Sequence, residues 1–191
     1  VAPETHRITY HVEKDQTMPA IIANFGSLSW GGPYPGMFRP QGKLQYHGDT
    51  DQLFREIGHT NPASRSRKVS AGARIIVGFN VGKKPRWTMA DLVSVVRKVR
   101  IRQVGQPDAT FVAQTGMYTH QGLTAKKGVV VTEKGGQVLI KNLPHLKTGE
   151  AEFKAQMIEL AEEICRALKQ EIVIVDYQER GLSVEEWVVS P

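Results

Sequence analysis

At 191 residues, with 40% hydrophobic and 23% charged positions, the chain is long and apolar enough to bury a core, which excludes a disordered polymer. Its single cysteine, Cys165, excludes an intramolecular disulfide and a cysteine-rich zinc site. No run approaches the roughly 18 consecutive apolar residues of a membrane-spanning helix. The formal net charge of +6 favours anionic partners, nucleic acid and phosphate-bearing ligands among them. A cytoplasmic location is expected, with a removed signal peptide left open.

Residues His6 to Val12 alternate in the manner of a strand, and Met18 to Phe25 suggest a second. Gly26 to Gly42 holds five glycines and three prolines, so it reads as loop, and its aromatics Trp30, Tyr34 and Phe38 imply packing. Asp49 to Ile57 resembles a short helix with acidic residues where the dipole favours them. The polar, basic stretch Thr60 to Gly72 reads as a linker. Residues 1–70 are thus expected to form an N-terminal extension, and residues 71–191 the main domain.

The pattern sharpens from Ala73. Ala73 to Asn80 is apolar enough for a central strand. Thr88 with Asp91 has the spacing of a capping box, and Met89, Leu92, Val93, Val96 and Val99 fall on one helical face. Ala109 to Tyr118 is the next strand. Gly128 to Glu133 and Gln137 to Asn142 read as a hairpin across Lys134-Gly135-Gly136. Thr148 opens a second helix with the stripe Phe153, Met157, Leu160, Ala161, Ile164 and Leu168, and Cys165 beside that stripe reads as a buried structural thiol. Glu171 to Tyr177 is a strand, and Val184 to Val189 alternates like one. The expectation is an α+β, ferredoxin-like β-α-β-β-α-β sandwich with an N-terminal β/loop extension.

The stretch Gly78 to Trp87 places a glycine-bearing turn and three cations before a helix N-terminus, a setting that suits an anion. Asn80, Lys83, Lys84, Arg86 and Trp87, with Tyr118 nearby, are the ligand-binding candidates. The spacing is not that of a P-loop. Arg97, Lys98, Arg100 and Arg102 crowd a helix end, where cations satisfy carbonyls and the dipole.

His120 with Glu133 is a candidate general acid–base pair if the two strands pair, and His47 with Asp49 a candidate metal pair whose spacing matches no metallohydrolase signature. No cofactor is expected. Three readings follow: a basic binding module for an anionic ligand or nucleic acid, a small hydrolase built on one of those pairs, and an oligomeric interaction subunit. A homo-oligomer or assembly partner would cover the sheet face that the helices leave open.

Overall fold

The computed structural model describes residues 4–11, 37–48, 71–105, 110–121, 130–143, 146–178 and 183–190. In chain order the strands are β1 (Glu4–His11), β2 (Met37–Pro40), β3 (Gln45–His47), β4 (Gly72–Gly78), β5 (Asn80–Val81) and β6 (Lys84–Pro85). Helix α1 (Met89–Val104) follows, then β7 (Phe111–Gln121), β8 (Val130–Lys141), α2 (Glu150–Ala167), β9 (Val173–Gln178) and β10 (Ser183–Ser190). The expected strands at Met18–Phe25 and helix at Asp49–Ile57 lie outside the described residues.

Strands β9, β4, β8 and β7 stand side by side and all pair antiparallel. Numbered within the β-α-β-β-α-β unit, that order is fourth, first, third, second: the expected ferredoxin-like sheet. Strands β10 and β1 extend it beyond β9, while β2 and β3 both pair with β7 on the opposite edge, giving eight strands.

Period-2 strands and period-3.6 helices build one apolar layer. Ile75 and Val77 of β4, Val138 and Ile140 of β8, and Val173 and Val175 of β9 meet Leu92, Val96, Phe153, Leu160 and Ile164 from the helices, all buried. Each such side chain stabilises the fold by roughly 1.5–3 kcal/mol relative to exposure. The capping box at α1 is present: Thr88 Oγ1 accepts from the Asp91 N–H at 3.4 Å, and Asp91 Oδ2 accepts from the Thr88 N–H at 2.8 Å. Helix α2 is capped by Gly149, one residue beyond Thr148.

The cations at the end of α1 join the two helices. Buried Arg100 donates to Gln103 and Gln156, and Arg102 pairs with Glu159. Cys165 is buried, its Sγ–H donates to the Gln170 carbonyl, and burial pushes the thiol up to about 11. It is a structural thiol.

Two expectations change. Lys134-Gly135-Gly136 is not a turn, because β8 runs through it unbroken. These glycines serve close approach: a Cβ on Gly136 would lie 2.7 Å from Met89 Cε, and one on Gly135 would lie 2.5 Å from the Val77 carbonyl oxygen. The Gly/Pro-rich loop also contains a strand, β2, in which Phe38 pairs with Tyr118. Among the described residues no helix is long and apolar enough to cross a membrane.

Candidate active site

The sheet's other face carries the chemistry. Alternation sends Arg74, Ile76 and Gly78 of β4, Glu133, Gln137 and Lys141 of β8, Tyr118 and Gln114 of β7, and Asp176 of β9 away from the helices. Arg74, Glu133, Gln137, Lys141 and Asp176 are all buried there. Burying such groups is unfavourable unless they are paired, so each needs a partner. Arg74 forms an ion pair with Asp176, donating from Nε at 2.6 Å. Gln137 Nε2 donates to Gln114 Oε1 at 2.9 Å. Lys141 lies across from Gly72, and burial pushes its ammonium down to about 8.

One end of this face is built around a carboxylate. Phe38, Tyr118 and Glu133 are successive register partners across β2, β7 and β8, with exposures of 7%, 1% and 7%. Such neighbours sit about 5 Å apart at Cβ. Glu133 Oε2 accepts the backbone N–H of Asn80 at 2.7 Å. Phe38, Tyr118, Ile76, Ile172 and Ile174 form an apolar cluster on the same face. A buried carboxylate with an aromatic residue on the next strand suits a cationic group, through charge and through the negative ring face.

The sequence candidates separate into groups. Asn80, Tyr118 and Glu133 converge on this end of the sheet. Lys83, Lys84 and Arg86 stand exposed on or beside the small β5–β6 hairpin, which turns at Gly82 with φ +61°. Trp87 turns inward and packs against the helix-covered core. His120 pairs in backbone register with Val131, two positions along from the Tyr118–Glu133 pair, and its side chain lies outside the described residues.

His47 stacks on Phe111 with ring centroids 4.7 Å apart, beside Arg97. Burial first and then Arg97 hold its pKa below the usual histidine value. Asp49 lies outside the described residues, and among those described no cluster of three His, Cys, Asp or Glu could hold a metal ion.

Three contributors carried no signal in the sequence for the part they play here. Phe38 comes from a stretch that reads as loop, Gly78 reads as part of a phosphate-type turn, and Gln170 lies just past a helix end. Gln170 Nε2 donates to the Asn80 carbonyl at 2.9 Å, so it holds the peptide whose neighbour binds Glu133. Only a strand register could have revealed them.

No protein-family model and no curated protein matches the chain. Among solved structures, a phage SAM lyase in complex with S-methyl-5'-thioadenosine is 37% identical, with a TM-score of 0.53, over 69% of this chain and 97% of that one. A phage SAM lyase in the apo state is 34% identical, with the same TM-score and the same coverage. This likeness to an enzyme overturns the expectation of a basic module that binds an anion or nucleic acid. The geometry gives the reason: the three cations of the β5–β6 region are exposed, while the charge at the buried end of the sheet is a carboxylate. A hydrolase built on a histidine pair fares no better, since the related enzymes are lyases. Identity above 30% over nearly the whole length of those enzymes makes the chain a member of the phage SAM lyase family.

Proposed function

We propose that this chain is itself a SAM lyase, cleaving S-adenosylmethionine and releasing S-methyl-5'-thioadenosine. The observation that carries the proposal is the 37% identity across 97% of an enzyme of that activity. The buried Glu133, across from Tyr118 at the end of the sheet that carries the Phe38–Tyr118 apolar cluster, supports it, because the substrate is a sulfonium cation that also carries an α-ammonium group.

The chemistry restricts what Glu133 can usefully do. When the bond between sulfur and the aminobutyryl chain breaks, its electron pair moves to sulfur and the sulfonium charge disappears. The vacated carbon is completed either by the substrate's own carboxylate oxygen, which closes a lactone, or by loss of a proton from the adjacent carbon, which leaves an alkene. Both routes balance without water.

A carboxylate against the sulfonium would stabilise a charge that the transition state is losing, and so would slow the step. The α-ammonium keeps its charge throughout. Glu133 therefore anchors that ammonium and orients the amino-acid arm, and the aromatic, apolar cluster surrounds the sulfonium. Loss of water around a vanishing charge favours the step. An enzyme that consumes an intracellular methyl donor also fits the expected cytoplasmic location. The expected homo-oligomer belongs to the same proposal, and sedimentation velocity tests it.

The first experiment is incubation of the purified protein with S-adenosylmethionine alone, followed by chromatography and mass spectrometry. S-methyl-5'-thioadenosine should accumulate in step with a lactone or an alkenyl amino acid, and the mass of the second product in isotopically labelled water assigns the route. Absence of S-methyl-5'-thioadenosine overturns the proposal.

A further inference from the structure

The Glu133 carboxylate lies flat over β4 because Gly78 has no side chain. A Cβ on Gly78 would lie 2.5 Å from Glu133 Cδ and 2.9 Å from Oε2, with Oε1 closer still. Carbon atoms do not approach carboxylate atoms that closely, so any side chain at position 78 expels the carboxylate from its place. Gly78 also closes β4, and the chain then bends so that the Phe79 N–H reaches the Lys134 carbonyl and the Asn80 N–H reaches Glu133.

That bend is held from its other side. Gln170 is buried and donates to the carbonyls of both Asn80 and Leu168, each at 2.9 Å. Its own carbonyl accepts from Cys165 Sγ. The end of α2 therefore fixes the Asn80–Val81 peptide, and the adjoining Phe79–Asn80 peptide donates the N–H that holds the carboxylate.

We infer that Gly78 and Gln170 are positioning residues for Glu133: the first leaves the space its carboxylate occupies, and the second anchors the peptide adjoining the one whose N–H the carboxylate accepts. This rests on Glu133 being the substrate-orienting group of the proposed lyase. Neither residue needs to touch substrate. A displacement of about 1 Å in an orienting group costs up to about a hundredfold in rate, so both substitutions should act on turnover through Glu133.

The test is a double-mutant cycle on kcat/KM for S-methyl-5'-thioadenosine release, with Gly78→Ala and Gln170→Met each made alone and combined with Glu133→Ala. Glu133→Ala should lower kcat/KM by about a hundredfold. Gly78→Ala should lower it at least tenfold and Gln170→Met severalfold, yet neither should lower it further once Glu133 is replaced. Equal losses in both backgrounds would show general damage and overturn the inference. An unaffected Gly78→Ala beside a crippled Glu133→Ala would overturn it while leaving the site standing. If Glu133→Ala retains full activity, the site itself is wrong and the inference falls with it.

A second measurement needs no turnover. Hydrogen exchange of the Asn80 amide reports whether the carboxylate is in place. Protection should be lost in Glu133→Ala and equally in Gly78→Ala, and protection retained in Gly78→Ala refutes the positioning role whatever the activity.

Discussion

The two faces of one sheet follow opposite rules. The helix-covered face is apolar without interruption, from Ile75 and Val77 through Val138 and Ile140 to Val173 and Val175. The other face buries an ion pair, a glutamine, a lysine and a carboxylate between smaller apolar clusters. The same strands supply both, since alternate residues point to alternate sides. Stability is concentrated on the first face, where packing needs no partner chemistry. The second accepts unfavourable desolvation at several positions, which is expected where charge has to be held in a fixed place rather than solvated.

The largest expected effect tests the first half of that contrast. Phe153 on α2 is fully buried against Tyr177, with ring centroids 6.1 Å apart. Phe153→Ala should destabilise the protein by about 3–5 kcal/mol. Chemical denaturation should show the loss, while turnover per folded molecule stays near that of the parent. A matching collapse of turnover at full folding would mean that the two faces are not separable.

How much of this was legible in the sequence follows the same division. The stripes of α1 and α2, the Thr88–Asp91 capping box and the β-α-β-β-α-β element order all rest on patterns within a few residues, and all three were readable. The helix-covered face is the sum of those local patterns. The other face is a product of register. Glu133 and Tyr118 stand 15 positions apart, and only the β7–β8 pairing makes them partners. Lys134-Gly135-Gly136 misleads for a related reason: a glycine pair that admits the Val77 carbonyl on one side and Met89 and Leu92 on the other looks the same in sequence as one that makes a turn. Exposed cations drew attention because charge is visible in a sequence, whereas burial is not.

A second effect, of about 3–5 kcal/mol, sharpens the claim that the polar face is not there for stability. Arg74 and Asp176 are joined within the sheet and both are buried. Asp176→Ala leaves a buried guanidinium without its carboxylate, and breaking such a pair costs about 3–5 kcal/mol. The double replacement Arg74→Met with Asp176→Leu should restore stability to near or above that of the parent, because apolar residues of similar volume pack there without a desolvation penalty. If the double variant is as unstable as the single one, the pair is a net stabiliser and the contrast between faces weakens.

The smallest effect is a pH slope from Lys141. Burial lowers its pKa to about 8 in the folded protein from an ordinary 10.5. Between those values the unfolded chain holds a proton that the folded chain has released, so stability contributed by this group rises with pH. Below about pH 8 the penalty for burying the ammonium is present in full, and by about pH 10.5 it is gone. Each unit corresponds to about 1.4 kcal/mol, which bounds the whole effect at roughly 3–4 kcal/mol. Lys141→Met keeps the length of the stem and removes the charge. It should raise Tm at pH 7, leave it unchanged near pH 10.5, and remove the rise between pH 8 and 10.5 that the parent shows. A parent protein whose stability from this group fell over that interval would mean that the folded state stabilises the ammonium, and Lys141 would then count among the groups that hold this face together rather than among those it tolerates.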